Sequence, residues 1–595
     1  MTGKNLKRLR LEMEKEGVDI YVMTLADYHM SEYVGDFFKE IEYISGFTGT
    51  NATLIVTGDE AGLWTDGRYF IQAREQMDGS GVRLYEIGTE GVPTADEFIE
   101  SHLSDGKVLA FDGRLFPYSW YEKIDKVVDS YNADIRTDIN LLDAFFKERK
   151  PMPAEPVYIL EDKYSGKSVQ QKIDDVRKVM REKGAEAHLL TSLYDIAWLL
   201  NIRGNDIPSV PVFMSYLYLT QDACLLYAQE QSFDVKTHEY LNDNGIRLLP
   251  YDSIYTDLRR INEKSVLIDP TVVNSELVNE LPSSVTLIRT DYNPTTEMKA
   301  IKNSVEIKNT EDAHIDDGVA VTRFIYWLKH NVGKEKITEM SAADKLLEFR
   351  KMAHDFIEVS FDTISAYKAN AALMHYEPGH DHEVELAPEG MLLVDSGGTY
   401  YRGTTDITRT IALGPVTEKE KKAYTETLRS HLRLMKAKFP KGACGANLDI
   451  LSRGPMWDLG LDYRCGTGHG VGHILNVHEG PNVFAWNLHR SGANYPIVPG
   501  MVTTDEPGLY FEGEFGIRIE SELLCVEDEK TEYGQFYSFK DLTYCPIDLE
   551  PVIPEMLTQY EREALNAYHA DVYETIAPRL PKEEAAWLKE ATRAI

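Results

Sequence analysis

Two aspartates in the second half of the chain stand beside a turn between two strand-like runs. Asp395 ends the apolar run 391–395, two glycines follow it, and Asp406 opens a second β-rich run. Their odd separation would put the two side chains on opposite faces of one straight strand. A hairpin between them can instead bring the carboxylates together. Aspartates are also frequent in turns that do no chemistry, so the pair by itself does not define a site.

A glycine-rich stretch carries three histidines. His469, His473 and His478 lie within residues 465–481, among glycines that let neighbouring backbone approach closely. The spacing matches neither a zinc finger nor the His-Glu-x-x-His motif. The stretch therefore indicates a site, but its own sequence does not name the chemistry.

Two glutamates extend the set of metal-binding residue types. Glu506 precedes a Pro-Gly turn, and Glu520 lies on an alternating run, on the same face as Arg518. A glutamate on a strand is usually a solvated edge residue. Four carboxylates and one imidazole in one place, however, suit a hard or borderline divalent cation such as manganese, cobalt or iron. Carboxylates can also bridge two ions about 3.5–4 Å apart, as two-metal hydrolases require.

The composition limits the classes of function. The 595 residues include 97 acidic and 63 basic side chains, which gives a formal net charge of -34. An acidic surface repels phosphate backbones and anionic lipids, so we expect neither a nucleic acid nor a membrane as a partner. The cysteines are scattered without Cys-x-x-Cys spacing, and no apolar stretch suits a signal peptide or a membrane span. We therefore expect a cytoplasmic protein without a disulfide framework.

The first half of the chain contains one pattern twice. A helix over residues 6–16 stops at Gly17 and is followed by a buried strand over 18–24. A second helix stops at Gly184, and a strand over 187–191 follows at the same offset. The repeat predicts a duplicated α/β domain.

Prolines and helical periodicity predict the remaining boundaries. Three prolines within residues 150–156 predict an extended linker, and a second boundary is expected near Asn293. Beyond it, one helix is predicted over 297–332, and helices are predicted over 557–573 and 582–594. The predicted domains are residues 1–152, 153–295, 296–535 and 536–595.

The combination resembles the creatinase/methionine-aminopeptidase (pita-bread) family, and within it the long, three-domain Xaa-Pro aminopeptidases. The family's five metal ligands, in the order Asp, Asp, His, Glu, Glu, match Asp395, Asp406, His469, Glu506 and Glu520, inside the flanks Val-Asp-Ser-Gly, Thr-Thr-Asp-Ile-Thr-Arg-Thr, Gly-His-Gly-Val-Gly, Thr-Asp-Glu-Pro-Gly and Gly-Ile-Arg-Ile-Glu. Residues 42–49 and 64–69 are typical of the family's N-terminal domain, so the resemblance covers nearly the whole chain. It implies two creatinase-like α/β domains, an α+β pita-bread catalytic domain and a C-terminal helical extension.

The resemblance also implies a mechanism. Asp406 and Glu520 would bridge two divalent metal ions, with Mn²⁺ as the first choice and Co²⁺, Zn²⁺ or Fe²⁺ as alternatives. Asp395 would bind one ion, and His469 with Glu506 the other. A hydroxide shared by the ions would attack the first peptide carbonyl, while Glu506 takes or relays its proton.

Further side chains are implied to serve the substrate. By resemblance, His375 and His478 hydrogen-bond the substrate and steady the oxyanion that develops during hydrolysis. Arg518 is implied beside the substrate site, where it either orients Glu520 or makes an ordinary ion pair on its strand.

One position departs from the family. Many members have a histidine where this chain has Cys465, four residues before His469, and that position lines the substrate site. A thiol cannot supply a positive charge, and His473 could compensate for the loss. The alternative is that Cys465 is a small buried filler. The nearby His380 and His382 have no counterpart in the family and are interpreted as loop residues.

The resemblance predicts an enzyme that removes the first residue from peptides with proline in the second position. A prolidase that cleaves only Xaa-Pro dipeptides is the first alternative, and a non-catalytic peptide- or histone-binding relative is the second. The duplicated N-terminal domains and the C-terminal extension favour the long aminopeptidase. The complete set of five ligands argues against the non-catalytic relative and against a metal-free, creatinase-like enzyme.

The closing helices carry apolar side chains at roughly helical spacing, namely Leu557, Tyr560, Leu565, Tyr568 and Tyr573. The resemblance implies a homodimer that this extension supports. The alternative is that these side chains only cover the catalytic core.

Overall fold

The computed structural model describes residues 2–376, 378–379, 383–463 and 465–595, so that His380 and His382 lie outside the described residues. The chain forms two compact units. Unit 1 comprises Met1–Ile159 and Lys167–Thr295, and unit 2 comprises Leu160–Gly166 and Thr296–Ile595. In the described part of the chain, no helix combines the length and the apolar character that crossing a membrane needs.

The first half of unit 1 is a six-stranded sheet with helices. The strands are β1 (Ile20–Thr24), β2 (Thr53–Thr57), β3 (Ala61–Thr65), β4 (Arg83–Glu86), β5 (Val108–Ala110) and β6 (Asp134–Arg136), and the helices are α1 (Thr2–Glu16), α2 (Glu40–Ser45), α3 (Phe70–Gln76), α4 (Ala95–His102) and α5 (Tyr118–Ser130). The spatial order is β4-β3-β2-β1-β5-β6. β2 pairs antiparallel with β1 and β3, and the other neighbours are parallel.

The second half of unit 1 repeats this topology. After β7 (Tyr158–Ile159) the chain passes through α6 (Asp162–Ser165), which belongs to unit 2. It then returns to unit 1 and forms the strands β8 (Ala187–Leu190), β9 (Ile202–Arg203), β10 (Ser215–Thr220), β11 (Cys224–Ala228), β12 (Ile246–Pro250), β13 (Ser265–Ile268) and β14 (Thr286–Arg289), and the helices α7 (Val169–Lys183), α8 (Leu193–Leu200), α9 (Val235–Asp243), α10 (Ile254–Asp257) and α11 (Ser275–Asn279). The order β12-β11-β10-β8-β13-β14 has the same parallel and antiparallel pairs as the first sheet. The predicted duplication is therefore confirmed.

Glycines end the matching helices of the two halves. Gly17 follows α1 with φ 68°, and Gly184 caps α7 with φ 73°. A glycine adopts this left-handed backbone without a steric penalty, which lets the chain leave the helix and enter the next strand. Apolar residues at helical spacing bury the inner face of α7, with Ile173, Val176 and Met180 almost fully enclosed.

A histidine is buried at the centre of the second sheet. His188 lies on β8, where its Nδ1–H donates to the Leu267 carbonyl at 2.9 Å. Its Nε2 has no hydrogen-bond partner in the described part of the chain. Burial lowers the pKa of His188 to about 4. Between about pH 6.5 and pH 4 the ring of His188 is therefore neutral in the folded state. In the unfolded chain its pKa has the ordinary value near 6.5, so that the ring already binds a proton in this range.

This difference predicts how stability changes with pH. Because only the unfolded state takes up the proton between pH 6.5 and pH 4, the contribution of His188 to the free energy of unfolding falls as the pH falls through that window. At pH 5 the loss is about 2 kcal/mol. We therefore expect the destabilisation caused by His188→Gln in urea unfolding to be about 2 kcal/mol smaller at pH 5 than at pH 7.5. Equal destabilisation at both pH values would contradict this expectation.

Unit 2 contains the remaining helices and strands. The helices are α12 (Pro294–Ala300), α13 (Ser304–Asn331), α14 (Glu339–Arg350), α15 (Glu418–Met435), α16 (Gly445–Trp457), α17 (Gln559–Ile576) and α18 (Lys582–Ala591). The strands are β15 (Phe356–Val359), β16 (Ile364–Tyr367), β17 (Met391–Ser396), β18 (Gly398–Tyr400), β19 (Gly403–Thr404), β20 (Ile407–Ala412), β21 (Lys438–Pro440), β22 (Gly468–Gly470), β23 (Glu479–Phe484), β24 (Val502–Asp505), β25 (Gly508–Phe511), β26 (Phe515–Arg518), β27 (Ser521–Thr531) and β28 (Gly534–Asp541).

Two of the sheets in unit 2 carry the residues singled out above. One sheet has the order β16-β17-β20, and the other has the order β21-β28-β27-β24-β22-β23. A third sheet has the order β15-β18-β19, and the hairpin β25-β26 lies between β24 and β27 in the chain. Helices α15 and α17 pack against the second sheet through one apolar core, to which Leu432, Phe484 and Leu523 contribute.

The single helix predicted over 297–332 is wrong, because the chain forms α12 and α13 instead. The Asn303 side chain accepts the backbone N–H groups of Val305 and Glu306, and the Glu306 carboxylate accepts that of Asn303. This reciprocal capping box supplies the partners that a new helix start needs. The break leaves Lys302 in a non-helical link.

The apolar face of α17 points into unit 2. Leu565 and Tyr568 are at most 1 % exposed and belong to the core that α15 shares, whereas Tyr560 is 55 % exposed. Leu565 and Tyr568 therefore cover the core of unit 2, as the alternative interpretation expects. The homodimer stays a prediction.

Candidate metal centre

The carboxylates of Asp395 and Asp406 meet across a hairpin. β17 carries Asp395 near its end, and Asp406 directly precedes β20, which pairs antiparallel with β17 so that Asp395 faces Thr408. Carboxylate oxygens of the two aspartates and of Glu520 lie within 4.8 Å of one another. The hairpin predicted to bring the aspartates together is therefore confirmed.

Glu506 and Glu520 reach the cluster from the ends of strands. β24 stops at Asp505, directly before Glu506. Glu520 lies in a short link between β26 and β27, and not on the continuous strand predicted around it. Its backbone N–H donates to the Thr408 carbonyl at 3.1 Å, which holds the link against β20. Both glutamates are thus fixed by the strands on either side.

His469 completes the group. It lies on β22, and its Nε2 is 3.5 Å from Asp406 Oδ2 and 3.5 Å from Glu506 Oε1. Its Nδ1–H donates to the Gly470 carbonyl at 3.0 Å. The proton on Nδ1 leaves the lone pair of Nε2 directed at the carboxylates, which is the tautomer that a metal-binding imidazole needs.

Two glycines make room for His469. A Cβ at Gly468 would lie 1.9 Å from the Thr504 carbonyl oxygen, and a Cβ at Gly470 would lie 2.1 Å from that of Glu479. Either side chain would force apart the strands that flank β22. The glycines of this stretch therefore set the close backbone approach that brings the imidazole into contact with carboxylates on neighbouring strands.

Burial and mutual repulsion perturb the carboxylates strongly. Burial, followed by repulsion from Glu520 and Asp395, raises the pKa of Asp406 well above its usual range. Burial and repulsion from Asp395 and Glu506 do the same to the pKa of Glu520. Burial raises the pKa of Glu506 to about 7, and the neighbouring Arg518 opposes that shift. Such a cluster is costly without positive charge between its members.

The donor set fits divalent cations. Asp395 Oδ1 is buried and finds no hydrogen-bond donor among the described residues. The four carboxylates and one imidazole form overlapping groups of converging atoms. They are the oxygen and nitrogen ligands that manganese, iron, cobalt or zinc accepts. Atoms of Asp406 and Glu520 occur in more than one of the converging groups, as bridging between two ions requires.

Arg518 supports Asp395 and not Glu520. Its Nη2 donates to Asp395 Oδ2, and its Nη1 donates to the Tyr510 hydroxyl at 2.7 Å. Its Nε donates to the Thr408 hydroxyl at 3.2 Å, and that hydroxyl donates in turn to Glu520 Oε2 at 2.7 Å. The predicted orientation of Glu520 by Arg518 therefore runs through Thr408, and the direct partner of the arginine is Asp395.

Two residues behind the cluster carry no signal in the sequence. Glu522 is fully buried, and its Oε1 accepts the backbone N–H of Asp406 at 2.7 Å. His314 on α13 lies with its Nε2 3.1 Å from the same oxygen. Although burial opposes it, the Glu522 carboxylate raises the pKa of His314. No local pattern links a helix residue to a strand residue this far along the chain, so only the fold reveals the pair.

The two histidines assigned to the substrate occupy different places. The His478 ring meets the His469 ring edge to face at 4.3 Å, and its nitrogen joins Asp406 and His469 in one group of converging atoms. His375 lies in the turn after the short 3₁₀ helix Lys368–Ala372. Among the described residues, His375 is not part of a group of converging metal-binding atoms. The structure thus brings His478 to the cluster and leaves His375 on a neighbouring turn.

Cys465 is half-buried beside Glu506. Arg453 on α16 donates to the backbone carbonyl of Cys465 at 2.7 Å. The side chain of Cys465 packs against the core of unit 2. Burial and the Glu506 carboxylate raise the pKa of the Cys465 thiol to about 11, against the opposing effect of Arg518. A neutral thiol therefore stands at this position.

His473 does not take the place of a histidine at 465. Its Nε2–H donates to the Tyr164 carbonyl at 3.0 Å, and its Nδ1 accepts from the Thr310 hydroxyl at 3.1 Å. Both ring nitrogens are engaged between α6 and α13. The interpretation that His473 compensates for Cys465 is therefore wrong.

Family models match almost the whole chain. Two models described as "Creatinase/Prolidase N-terminal domain" match residues 5–144 and 148–306. "Metallopeptidase family M24" matches residues 308–527, which contain all five converging residues, and "C-terminal region of peptidase_M24" matches residues 535–595.

Curated relatives and solved structures agree with these models. "Aminopeptidase P2" of Arabidopsis thaliana is 36% identical over 97% of this chain and 86% of its own length. "Xaa-Pro aminopeptidase 1" of Dictyostelium discoideum is 35% identical over 100% of this chain and 96% of its own. The crystal structure of an X-prolyl aminopeptidase from Caenorhabditis elegans, described as "a cytosolic enzyme with a di-nuclear active site", is 32% identical, with a TM-score of 0.94 and full coverage of both chains.

Proposed function

The chain belongs to the Xaa-Pro aminopeptidases of metallopeptidase family M24, and on that premise we propose that it hydrolyses the first residue from peptides whose second residue is proline. One observation carries the proposal. Five metal-binding side chains converge in one cluster, namely those of Asp395, Asp406, His469, Glu506 and Glu520. The chain that carries them is similar to such enzymes over nearly its whole length.

Two divalent cations are the proposed cofactors, with Mn²⁺ as the proposed occupant. Asp406 and Glu520 would be shared by both ions, because each carboxylate takes part in two of the converging groups. Asp395 would complete one site, and His469 with Glu506 the other. When bound, divalent cations of this kind polarise a substrate carbonyl and lower the pKa of water.

The chain's own residues then have distinct tasks. Glu506 stands at the edge of the cluster, half-buried, where it can accept the proton of the attacking water and pass it to the leaving amine. His478, half-buried against His469, can donate a hydrogen bond to the carbonyl oxygen as charge develops on it. Arg518 holds Asp395 in place, and we propose that His375 and Cys465 line the substrate site.

Two other functions remain as alternatives that an assay can separate. A prolidase-type enzyme would cleave dipeptides only, and a non-catalytic relative would bind peptides without cleaving them. The solved Xaa-Pro dipeptidase from Bacillus anthracis covers 65% of this chain at 22% identity, which shows a shared fold. The match of long aminopeptidases to both N-terminal halves and to the C-terminal region supports the aminopeptidase.

The test uses the full chain reconstituted with Mn²⁺. Xaa-Pro and Xaa-Ala peptides of two to five residues are incubated with the protein, and released amino acids are quantified. We expect release of the first residue from Xaa-Pro peptides of three or more residues. Cleavage of dipeptides alone would instead identify a prolidase, and bound metal without any cleavage would identify a binding protein.

Cys465→His is expected to change how substrate is held and not how metal is held. An imidazole at this position can form a stronger hydrogen bond than a thiol, so the KM for Xaa-Pro peptides should change by about 10-fold or less. Metal content should stay the same, because Cys465 is not in the converging cluster. Unchanged kinetics with a lowered melting temperature would show instead that histidine only overpacks the site.

We also propose a cytoplasmic homodimer. The cytoplasmic location rests on the solved relative that is described as cytosolic. Trp457, Leu459, Trp486 and Leu488 are all more than 40 % exposed, and the two indole rings lie 6.2 Å apart. A clustered apolar surface of this kind is unusual unless a partner covers it. A second copy of the chain is the proposed partner.

Sedimentation at micromolar concentration tests the dimer. We expect a dimer for the wild type and a monomer for the double variant Trp486→Gln, Leu488→Gln. Tyr533→Gln is the matched control, because that side chain is 83 % exposed in a turn outside the patch. A wild-type monomer would refute the proposal.

A further inference from the structure

Two lysines and one glutamate form a buried charged group in unit 2. Lys299 Nζ is 3.0 Å from Glu479 Oε2, and Lys302 Nζ is 2.8 Å from Glu479 Oε1. Each ammonium group thus takes one oxygen of the same carboxylate. All three side chains are at most 4 % exposed. Ion pairs this deep are seldom placed for stability alone, because removing the charges from water costs about as much as their attraction returns.

The lysines come from the break between α12 and α13. Lys299 lies on α12, and Lys302 lies in the link that precedes the Asn303 cap. The backbone N–H of Lys302 donates to the Gly500 carbonyl at 2.9 Å, in the loop before β24. The link is therefore attached to the loop that leads into β24, the strand directly before Glu506, as well as to Glu479 through the lysine side chain.

Glu479 connects the two lysines to the candidate metal centre. It directly follows His478 in the chain and opens β23, where it pairs with Gly470, the neighbour of His469. The Asn476 side chain holds the carbonyl of His478 at 2.7 Å. The carboxylate of Glu479 is thus the nearest fixed side chain on the C-terminal side of His478, and its orientation is set by two lysines at once.

We propose that Lys299 and Lys302 are positioning residues that act through Glu479 to hold His478 against the candidate metal centre. The inference rests on the proposed function in one respect, namely that His478 contacts the substrate. Its structural part stands on the ion pairs alone. We call the two ion pairs of Lys299 and Lys302 with Glu479 the clamp. If the clamp is loosened, the backbone at 478–479 can shift. Displacements of about 1 Å near a reacting group cost up to about 100-fold in rate.

Single and triple variants separate positioning from stability. Lys302→Met leaves the Lys299–Glu479 pair in place, so the protein should fold, and kcat should fall by about 10-fold with bound metal unchanged. The triple variant Lys299→Met, Lys302→Met, Glu479→Met replaces the whole group by apolar side chains of similar length, and should keep its melting temperature while kcat falls. Lys308→Met is the control, because that lysine pairs with Asp312 on the exposed face of α13. A triple variant with wild-type kcat would overturn the proposal.

A double-variant comparison ties the effect to His478. In a His478→Ala background, Lys302→Met should cause no further loss of kcat, because the group that the clamp positions is gone. A full additional 10-fold loss would show that the lysine acts elsewhere and would overturn the proposal.

A spectroscopic readout tests the clamp without any activity. In protein with ¹³C-labelled histidine, the ring signal that disappears in His478→Ala identifies His478. That signal should shift or broaden in Lys302→Met, whereas the signal lost in His473→Gln should not move. An unchanged His478 signal overturns the clamp, whereas a changed signal together with no peptide hydrolysis by the wild type refutes only the proposed function.

Discussion

Asp406→Asn is expected to abolish metal binding and to lower kcat on Xaa-Pro peptides by at least about 10³-fold. The reason is that even the mutation of a residue that only supports a metal ligand lowers metal affinity by about 10- to 100-fold. Asp406 is 4 % exposed and joins two groups of converging atoms, one with Asp395 and Glu520 and one with His469 and His478. An amide offers one neutral oxygen in place of a charged, bridging carboxylate. Metal analysis and steady-state kinetics on the purified variant measure both effects.

The same variant should be no less stable than the wild type when metal is removed. Burial and repulsion from Glu520 and Asp395 raise the pKa of Asp406, so removing this charge relieves repulsion in the metal-free protein. We therefore expect an equal or higher melting temperature for metal-free Asp406→Asn. Asp312→Asn, on the outer face of α13, is the control for a change of charge alone. Two retained cations with wild-type turnover in Asp406→Asn would refute the dinuclear centre.

Local sequence patterns predicted much of the fold because their causes are local. Gly17 and Gly184 end helices since only glycine adopts the required backbone without strain, and this rule can be read from one residue and its neighbours. The Asn-x-x-Glu spacing of residues 303–306 also predicts the capping box, and a single helix over 297–332 is wrong because helical periodicity does not show where such a cap divides it.

The support around the candidate centre could not be predicted, because its contacts join distant parts of the chain. Glu522 meets Asp406, and Lys302 meets Glu479, only after separate strands and helices have packed together. Composition identifies Lys302 as an ordinary charged residue, and such residues are mostly exposed. The ligand types and their order could be matched to a family, but the side chains that orient them follow from tertiary packing.

The same limit applies to two interpretations that concern specific side chains. His473 lies four residues after His469, but it stands in a bend beyond the end of β22, and its ring contacts Thr310 and Tyr164. The apolar face of α17 has a helical period that suits either a core or a dimer contact, and packing shows that Leu565 of this face lies in the core. Periodicity shows that a face is apolar, and packing decides what covers it.

His478→Ala is expected to lower kcat on Xaa-Pro peptides by about 10²–10³-fold while both cations remain bound, the range that follows removal of a hydrogen-bond donor to a developing oxyanion. The His478 ring is half-buried and stands edge to face against His469, at the border of the cluster. It can therefore reach a substrate oxygen without being needed to hold metal. Metal analysis, kcat and KM on the same preparation separate these contributions.

His473→Gln is the matched control from the same glycine-rich stretch. Its ring makes two buried hydrogen bonds, to Thr310 and Tyr164, so its loss should lower the free energy of unfolding by about 1–3 kcal/mol. It should change kcat by less than about threefold, because surface and core substitutions away from reacting groups act on stability and not on the transition state. If His478→Ala instead lost metal in proportion to activity, His478 would be a ligand, and its proposed contact with the substrate would be wrong. If both variants lost only stability, neither histidine would contact the substrate, and the donor to the oxyanion would have to be sought at His375 or Cys465.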